Sequence, residues 1–376
     1  MRITILQGAF LPVPPLHGGA VEKLWFELGK CFVRLGHEVV HISRTYYGLP
    51  HDQLIEGVRH LRIGGFDMPL NGFLLKLYDF IYSIRALYVL PNADILVTNT
   101  FWMPIILCLP LRRKGLIVVS VERMPKGQMR FYQHVSLLRC CSTAVRNRVL
   151  HEQPQLEVKS IVVPNPLPFS VKPYSPLAGK KPIILYCGRL HPEKGIDLLL
   201  RAFVIACQHG LVGWTLRVVG PSDIAHGGGG HAWLHSIQHL SNHDCLPIEW
   251  VGPIYDEERL HHEYSRSSLF VYPSLSETGE AMGLAPLEAM AHGSVPIVSS
   301  LPCFQDFIFP GINGMVFDHR TSDADANLAR LILALATDPT RRRSLSQRAS
   351  YVRQSHGSTR IAKILTYHFN QLLDSH

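Results

Sequence analysis

The segment PNPLPFSVKPYSPLAGKKP, residues 164–182, places six prolines in nineteen residues. Proline lacks an amide donor and clashes with the preceding turn, so neither a helix nor a central strand runs through such a stretch. The segment divides the chain into two parts that follow one rule. Before it, RITIL, EVVHIS, DILVT, GLIVVSV and SIVVP read as strands, and over residues 21–35 the apolar side chains Val21, Leu24, Trp25, Leu28, Cys31, Phe32 and Leu35 recur at helical spacing. After it, PIILYCG, TLRVVG, IEWVGP, LFVYPS, VPIVS and GMVFD read as strands with helices between most of them. Strand alternating with helix predicts a parallel sheet covered on both faces. The expected fold is α/β, with two facing Rossmann-like, doubly wound domains and an interdomain cleft, ligands lying beyond the carboxyl ends of the strands. The domains are drawn at residues 1–168 and 169–355, and residues 356–376 form a final helical piece.

Composition sets the class. A chain of 376 residues exceeds one comfortable core, and 47% hydrophobic with 18% charged residues excludes a disordered protein. The apolar run FWMPIILCLPL, residues 101–111, is shorter than the roughly 18 residues of a membrane span and contains two prolines. The opening MRITILQGAFLP reads as a strand and turn instead of a signal peptide, which predicts a cytoplasmic protein. Eight cysteines without a CxxC pair predict buried thiols, not a disulfide framework or a zinc site. A net charge of +8 calls for an anionic partner: nucleotide phosphate, anionic lipid or nucleic acid. No aromatic-basic signature supports nucleic acid. The run RRRSLSQRASYVRQ, residues 341–354, reads either as a solvated helix face or as a contact with anionic lipid at the inner face of the membrane.

Three places could hold a phosphate. In LHGGAVEKL, Gly18 and Gly19 precede the first helix, where bare amides and the helix dipole favour an anion; a flexible turn is the alternative. In CGRLHPEKGIDLLLRAF, Arg189 and Lys194 follow a strand, a fork and a point charge suited to a diphosphate; a surface ion pair of Arg189 with Glu193 is the alternative. In SETGEAMGLAPLEAMAHG, residues 276–293, Pro286 suits the first turn of a helix that Gly293 ends, and the amides of Met282, Gly283 and Leu284 line its start. Glu280 precedes that cradle and Glu288 is placed in the helix's first turn. Two carboxylates around an anion cradle make sense for a ligand with sugar hydroxyls, a diphosphate and a ribose in series, which is a nucleotide sugar. Solvated or helix-stabilising charges are the alternative.

These motifs together resemble the retaining GT-B glycosyltransferases of glycosyltransferase family 4, also called glycosyl transferases group 1. Their E-x7-E signature is met by Glu280 and Glu288; YCGRLHPEKGIDLLLRAF and GGAVEKLWFELGKCFVRLGHEV are similar to two further hallmarks. The resemblance implies that Arg189, Lys194 and amides near Gly18 and Gly19 neutralise the diphosphate. It implies that Glu280 holds donor-sugar hydroxyls and Glu288 the ribose, with main-chain donors from Ala281, Met282, Gly283 and Leu284. Pro253 and Ile254 would meet the base. It further implies catalysis by Glu280, Arg189 and Lys194 without a metal or other cofactor, with retention of anomeric configuration, and a last helix that crosses back onto the N-terminal domain. The donor it suggests first is UDP-glucose, and the acceptor a glycan or lipid-linked saccharide in polysaccharide biosynthesis. Where many relatives carry histidines near the donor sugar, this chain has Glu122 and Asn99, which are therefore candidates for an acceptor or donor-sugar contact. A surface charge is the alternative for Glu122.

Two other classes stay open: a nucleotide-sugar epimerase of the same architecture, and a non-catalytic nucleotide-sugar-binding subunit. A nicotinamide dehydrogenase is disfavoured, because no GxGxxG follows the first strand of either half. His231, His235 and His239 recur every four residues, but the chemistry asks for no metal, and a solvated helix beside a mobile glycine loop is the expectation.

Overall fold

The computed structural model describes residues 1–16, 18–69, 71–107, 114–169, 179–240 and 246–375. The chain forms two compact units, Met1–Val171 with His356–His376, and Lys172–Ser355. The middle of the proline-rich run (170–178), the end of the 101–111 stretch, Cys108 and Cys245 lie outside the described residues.

The first unit is built on an eight-stranded sheet of β1 (Arg2–Leu6), β2 (Glu38–Arg44), β3 (Asp52–Ile55), β4 (Val58–Ile63), β5 (Ile95–Thr98), β6 (Leu116–Val121), β7 (Leu137–Cys140) and β8 (Ser160–Val162). Their order is β3-β4-β2-β1-β5-β6-β7-β8. Its helices are α1 (Ala20–Arg34), α2 (Gly72–Val89), α3 (Met103–Leu107) and α4 (Thr143–Glu152). Every pairing is parallel except the β3–β4 hairpin, so the sheet is not wholly parallel as the alternation predicts. An antiparallel edge strand on such a sheet is a common device. Leu24, Trp25, Leu28, Cys31 and Phe32 of α1 are buried, and the core joins Trp25, Leu28, Cys31 and Phe32 to Ile3, Ile5, Val97 and Val118 of the sheet.

The second unit carries β9 (Lys181–Cys187), β10 (Thr215–Val219), β11 (Ile248–Gly252), β12 (Ser267–Tyr272), β13 (Val295–Ser299) and β14 (Met315–Phe317). The order β11-β10-β9-β12-β13-β14, counted from the unit's own first strand, is 3-2-1-4-5-6, the arrangement of dinucleotide-binding sheets. Its helices are α5 (Ile196–Gln208), α6 (His231–Leu240), α7 (Glu257–Arg266), α8 (Leu284–Ala291), α9 (Ala324–Thr337), α10 (Pro339–Ala349) and α11 (Val352–Ser355). The chain then returns to the first unit as α12 (Ser358–Asp374). There Ile361, Ala362, Leu365 and Phe369 are fully buried in the same core as α1.

Among the described residues no helix is long and apolar enough to cross a membrane. Of the described cysteines, Cys31, Cys140, Cys141 and Cys303 are buried thiols, while Cys187 and Cys207 are half-buried.

Candidate functional site

In a doubly wound sheet the strand order reverses at one point, and the two connections leaving it in opposite directions open a crevice. In the second unit that point lies between β9 and β12. Past β9 the chain makes a short 3₁₀ turn, Pro192–Lys194, into α5. Gly195 ends the turn at φ 68°, and a Cβ there would lie 2.1 Å from the carbonyl oxygen of Pro273 just past β12. Only glycine allows that approach. The Leu275 amide also donates to the Glu193 carbonyl at 2.8 Å. The backbone itself thus brings the two strand exits together.

On this frame Lys194 Nζ donates to Glu280 Oε2 at 2.7 Å, with both side chains buried. The same oxygen accepts from Ser274 Oγ at 3.0 Å, and the Tyr272 hydroxyl lies 3.5 Å from it. Lys194 Nζ sits 5.6 Å from the Tyr272 ring centroid. The lysine and glutamate that the sequence assigned to different parts of a ligand are bonded to each other. Tyr272 and Ser274 were not anticipated, although the rule that ligands gather beyond strand ends points to the close of LFVYPS.

Arg189 is placed differently. It is half-exposed, with Nη2 3.1 Å from Glu193 Oε1 and Nη1 donating to the Gly227 carbonyl at 2.8 Å. The surface ion pair allowed by the sequence is therefore formed. Residues 227–230 are not the loose loop expected of four glycines. Their amides donate to the carbonyls of Ile224, Asp223, Leu190 and Ser222 at 2.7–2.9 Å. A Cβ on Gly228 would fall 2.2 Å from the Ser222 backbone, and one on Gly229 2.6 Å from the Trp233 ring. The glycines allow close packing beneath Arg189. His231 and His239 on α6 are exposed, and His231 lies 3.1 Å from Asp223. Among the described residues no group of three metal-ligating side chains is assembled.

Helix α8 begins at Leu284 after Gly283 in extended conformation. Pro286 is therefore in the first turn, and Glu288, at the fifth position, is in the second turn instead of the first. Ala281, Met282 and Glu288 are buried. The Tyr264 hydroxyl bonds to the side chains of Glu288 and Cys187. The Tyr264 ring stacks at 5.6 Å on His292, whose Nδ1 is 2.8 Å from the Glu288 carbonyl. Burial pulls the His292 imidazole down to about 4, so the ring is neutral near pH 7. Arg353 donates to the Ala291 carbonyl at 2.9 Å, closing the C-terminus of α8. Pro253 and Ile254 follow β11, with β10 and β9 between that strand and β12; Pro253 is exposed and Ile254 half-buried.

The first unit has its own reversal between β1 and β5. Asn99, past β5, donates from Nδ2 to Oε1 of Gln7, past β1, at 3.0 Å. Glu122 is not a surface charge. Its Oε1 accepts from Arg139 Nη1 at 2.5 Å, Ser120 Oγ at 2.6 Å and Trp25 Nε1 at 3.3 Å, and the Glu122 and Arg139 side chains are buried. Arg139 also donates to Asn165 Oδ1 at 2.7 Å. Glu122 Oε2, Gln7 Nε2 and Asn99 Oδ1 are buried with no hydrogen-bond partner among the described residues.

Gly18 and Gly19 have φ of 74° and 91°, and Gly19 caps α1. A Cβ on Gly19 would meet Glu22 Oε2 at 2.3 Å, so the chain's own carboxylate lies over the helix start. Burial pushes the Glu22 carboxyl up, against the pull of its own backbone amide and of Arg123. Sequence reasoning missed Glu22; its signal was an acid in the first helical turn after two glycines.

Residues 171–351 match the family described as glycosyl transferases group 1. Glycogen synthase 2 of Methylococcus capsulatus is 31% identical over 180 residues, covering 45% of this chain and 35% of its own length. The lipopolysaccharide 1,2-N-acetylglucosaminetransferase of Salmonella typhimurium is 28% identical over 137 residues, 35% of this chain and 34% of that protein. The chain thus spans about a third or less of the length of the curated relatives it matches. Among solved structures, sucrose-phosphate synthase from Thermosynechococcus elongatus superposes with a TM-score of 0.79 at 20% identity over 100% of both chains. The Anabaena protein HepE in complex with UDP and glucose gives 0.72 at 14% identity, covering 99% of this chain and 100% of the other. The fold is that of GT-B proteins, two Rossmann-like parallel-sheet units.

Proposed function

We propose that this chain, whose residues 171–351 match the family described as glycosyl transferases group 1, is a glycosyltransferase that moves a hexose from a nucleoside-diphosphate sugar to a glycan or lipid-linked saccharide. One observation carries the reading: the buried Lys194–Glu280 pair stands at the strand reversal of the unit that matches the family. UDP-glucose is the donor proposed first, in keeping with the solved HepE complex with UDP and glucose.

The pair divides the work. Glu280 accepts hydrogen bonds and is suited to sugar hydroxyls, while Lys194 faces the charge that grows on the diphosphate as the glycosidic bond breaks. A cation fixed before the reaction stabilises that charge more in the transition state than in the ground state. Arg189 adds a second cation. In this reading the cations stand in the place of a metal, and transfer proceeds with retention. Glu288, held by Tyr264, takes the ribose hydroxyls, and the amides at the start of α8 meet the phosphate and sugar. In the first unit, Gln7, Asn99 and Glu122 stand just past the ends of β1, β5 and β6, the side of such a sheet on which a saccharide acceptor would be met.

A thermal-shift panel of UDP-, GDP- and ADP-sugars tests the donor. A ligand at about 100 times its Kd stabilises by about 2.7 kcal/mol, so one base is expected to raise the midpoint well above the others. UDP release that depends on added saccharide supports transfer. A UDP-sugar converted to its epimer without acceptor, or bound without turnover in a broad acceptor panel, would overturn it.

A further inference from the structure

A helix that lays one face on a sheet ordinarily shows polar residues on the other. Helix α2 does not. Its Asp79, Tyr82, Ser83 and Ala86 are buried, while Phe73 is 73% exposed, Leu77 40%, Phe80 38% and Tyr88 80%. Positions 73, 77, 80, 84 and 88 advance by three or four residues, with half-buried Ile84 between the exposed ones, so one face carries all five. The stripe is braced from beneath. Phe80 meets the Trp102 ring edge-on at 5.3 Å, and the Trp102 indole donates to the Lys76 carbonyl at 2.9 Å.

Within α2 itself the solvent-facing charges have one sign, and the exposed carboxylate nearest in sequence, Asp67, is paired with Arg44 at 3.0 Å. Between Asp67 and Asp94 the only acidic residue is Asp79, and it is buried, accepting from the amides of Phe101 and Trp102. Lys76 and Arg85 of the same helix are exposed. Lys76 lies over the Phe101 ring at 5.4 Å and Arg85 over Phe66 at 4.9 Å. Aromatic side chains at both ends of an apolar face, flanked by Lys76 and Arg85 with no exposed carboxylate on the helix itself, are what an interfacial helix needs at anionic headgroups. The basic run 341–354 suits that role less well. Arg342 is tucked over Trp214 at 5.2 Å, and Arg353 closes α8.

We propose that the exposed face of α2 is a docking surface for an anionic lipid bilayer, its apolar stripe seated among the acyl chains and Lys76 and Arg85 at the headgroups. The proposal does not depend on the donor or acceptor assigned above. Flotation of the full chain with vesicles of phosphatidylcholine, alone or mixed with phosphatidylglycerol, tests it. Binding to the mixed vesicles is expected, with little to phosphatidylcholine alone. The double variant Phe73→Ser with Tyr88→Ser, both side chains largely solvent-facing and so compatible with an unchanged unfolding midpoint, is expected to lower partitioning by about tenfold or more. Lys76→Glu weakens binding to the mixed vesicles only. No binding by the parent protein, equal binding by the double serine variant, or a larger loss from Arg343→Glu with Arg348→Glu than from the serines would each overturn it. So would a dimer in solution that the serines dissolve while vesicles leave the parent protein unbound.

Discussion

The contact between Lys194 and Glu280 spans 86 positions of sequence, and it makes a prediction that separates stability from chemistry. Removing one partner of a buried ion pair strands the other, at about 3–5 kcal/mol. Lys194→Met is therefore expected to be destabilised by that order, and to lose turnover by at least about 100-fold, equivalent to some 2.7 kcal/mol in the barrier. Adding Glu280→Gln removes the stranded charge and should recover most of the stability, while transfer stays lost. Chemical denaturation and sugar-transfer assays on the two single variants and the double variant check this. Parent-like turnover in the stable double variant would reduce the pair to a structural role. At this scale the sequence named both residues, because a strand followed by cations and a glutamate before a Pro-containing helix are local patterns. It did not reveal that they bond, that Ser274 and Tyr272 join them, or that Arg139 neutralises Glu122, because each contact is made by the fold.

Between neighbouring strands the informative pair is His41 on β2 and His60 on β4, which sit opposite each other in register. Their rings stack at 5.2 Å, and none of the four ring nitrogens has a hydrogen-bond partner among the described residues. Burial pulls His41 well below the usual imidazole range and His60 down to about 4. Both are neutral in the folded unit, whereas the unfolded chain takes up protons near pH 6.5. Between pH 6.5 and 4 the unfolded state thus binds more protons, and stability falls as the pH falls, by something on the order of 3 kcal/mol for His60 alone. Asp79 acts in the opposite sense. Burial pushes its carboxyl up to about 6, so the folded state holds that proton longer and gains stability as the pH drops from 6 towards 3.8. Unfolding midpoints between pH 7 and 4 are expected to show an acid loss that His60→Phe flattens and Asp79→Asn steepens. The same pH slope in all three proteins would show that these groups do not govern it. These strands also show why the sequence reading was uneven. In the second unit LFVY of β12 and VPIV of β13 are continuous apolar runs buried at every position, and IILY of β9 is buried likewise, so these strands were legible. DQLI, VRHLRI and LLRC, which form β3, β4 and β7, are short and broken by Asp52, Arg59, Arg62 and Arg139. The polar positions make sense only once Arg62 is seen donating to the Val13 and Pro50 carbonyls and Arg139 facing Glu122.

Across the whole chain, sequence kinship is concentrated in residues 171–351, while the fold extends over essentially the full length. The second unit was accordingly readable strand by strand, with its order given by the structure, whereas the composition of the first depends on a segment from the far end of the chain. Helix α12 leaves the second unit and completes the first unit's core. Phe369 meets Phe32 at 6.0 Å, and the Leu167 amide donates to the His356 carbonyl at 2.7 Å. Fully burying a Leu, Ile or Phe side chain is worth about 1.5–3 kcal/mol. Ile361, Leu365 and Phe369 together therefore account for roughly 5–9 kcal/mol, comparable with the whole stability of a typical domain at about 5–15 kcal/mol. Deleting residues 356–376 is expected to unfold the first unit and leave the second folded, because the second unit's sheet and helices α5 to α11 lie within Lys172–Ser355. Hydrogen exchange should show α1 and β1, β2 and β5 losing protection while α5, α8 and β12 keep theirs. Nucleotide binding measured by thermal shift should survive on the remaining unit, with sugar transfer abolished. If α1 kept its full protection in the truncated chain, the core would have to close without α12, and the tie between the chain's last helix and its first unit would be dispensable.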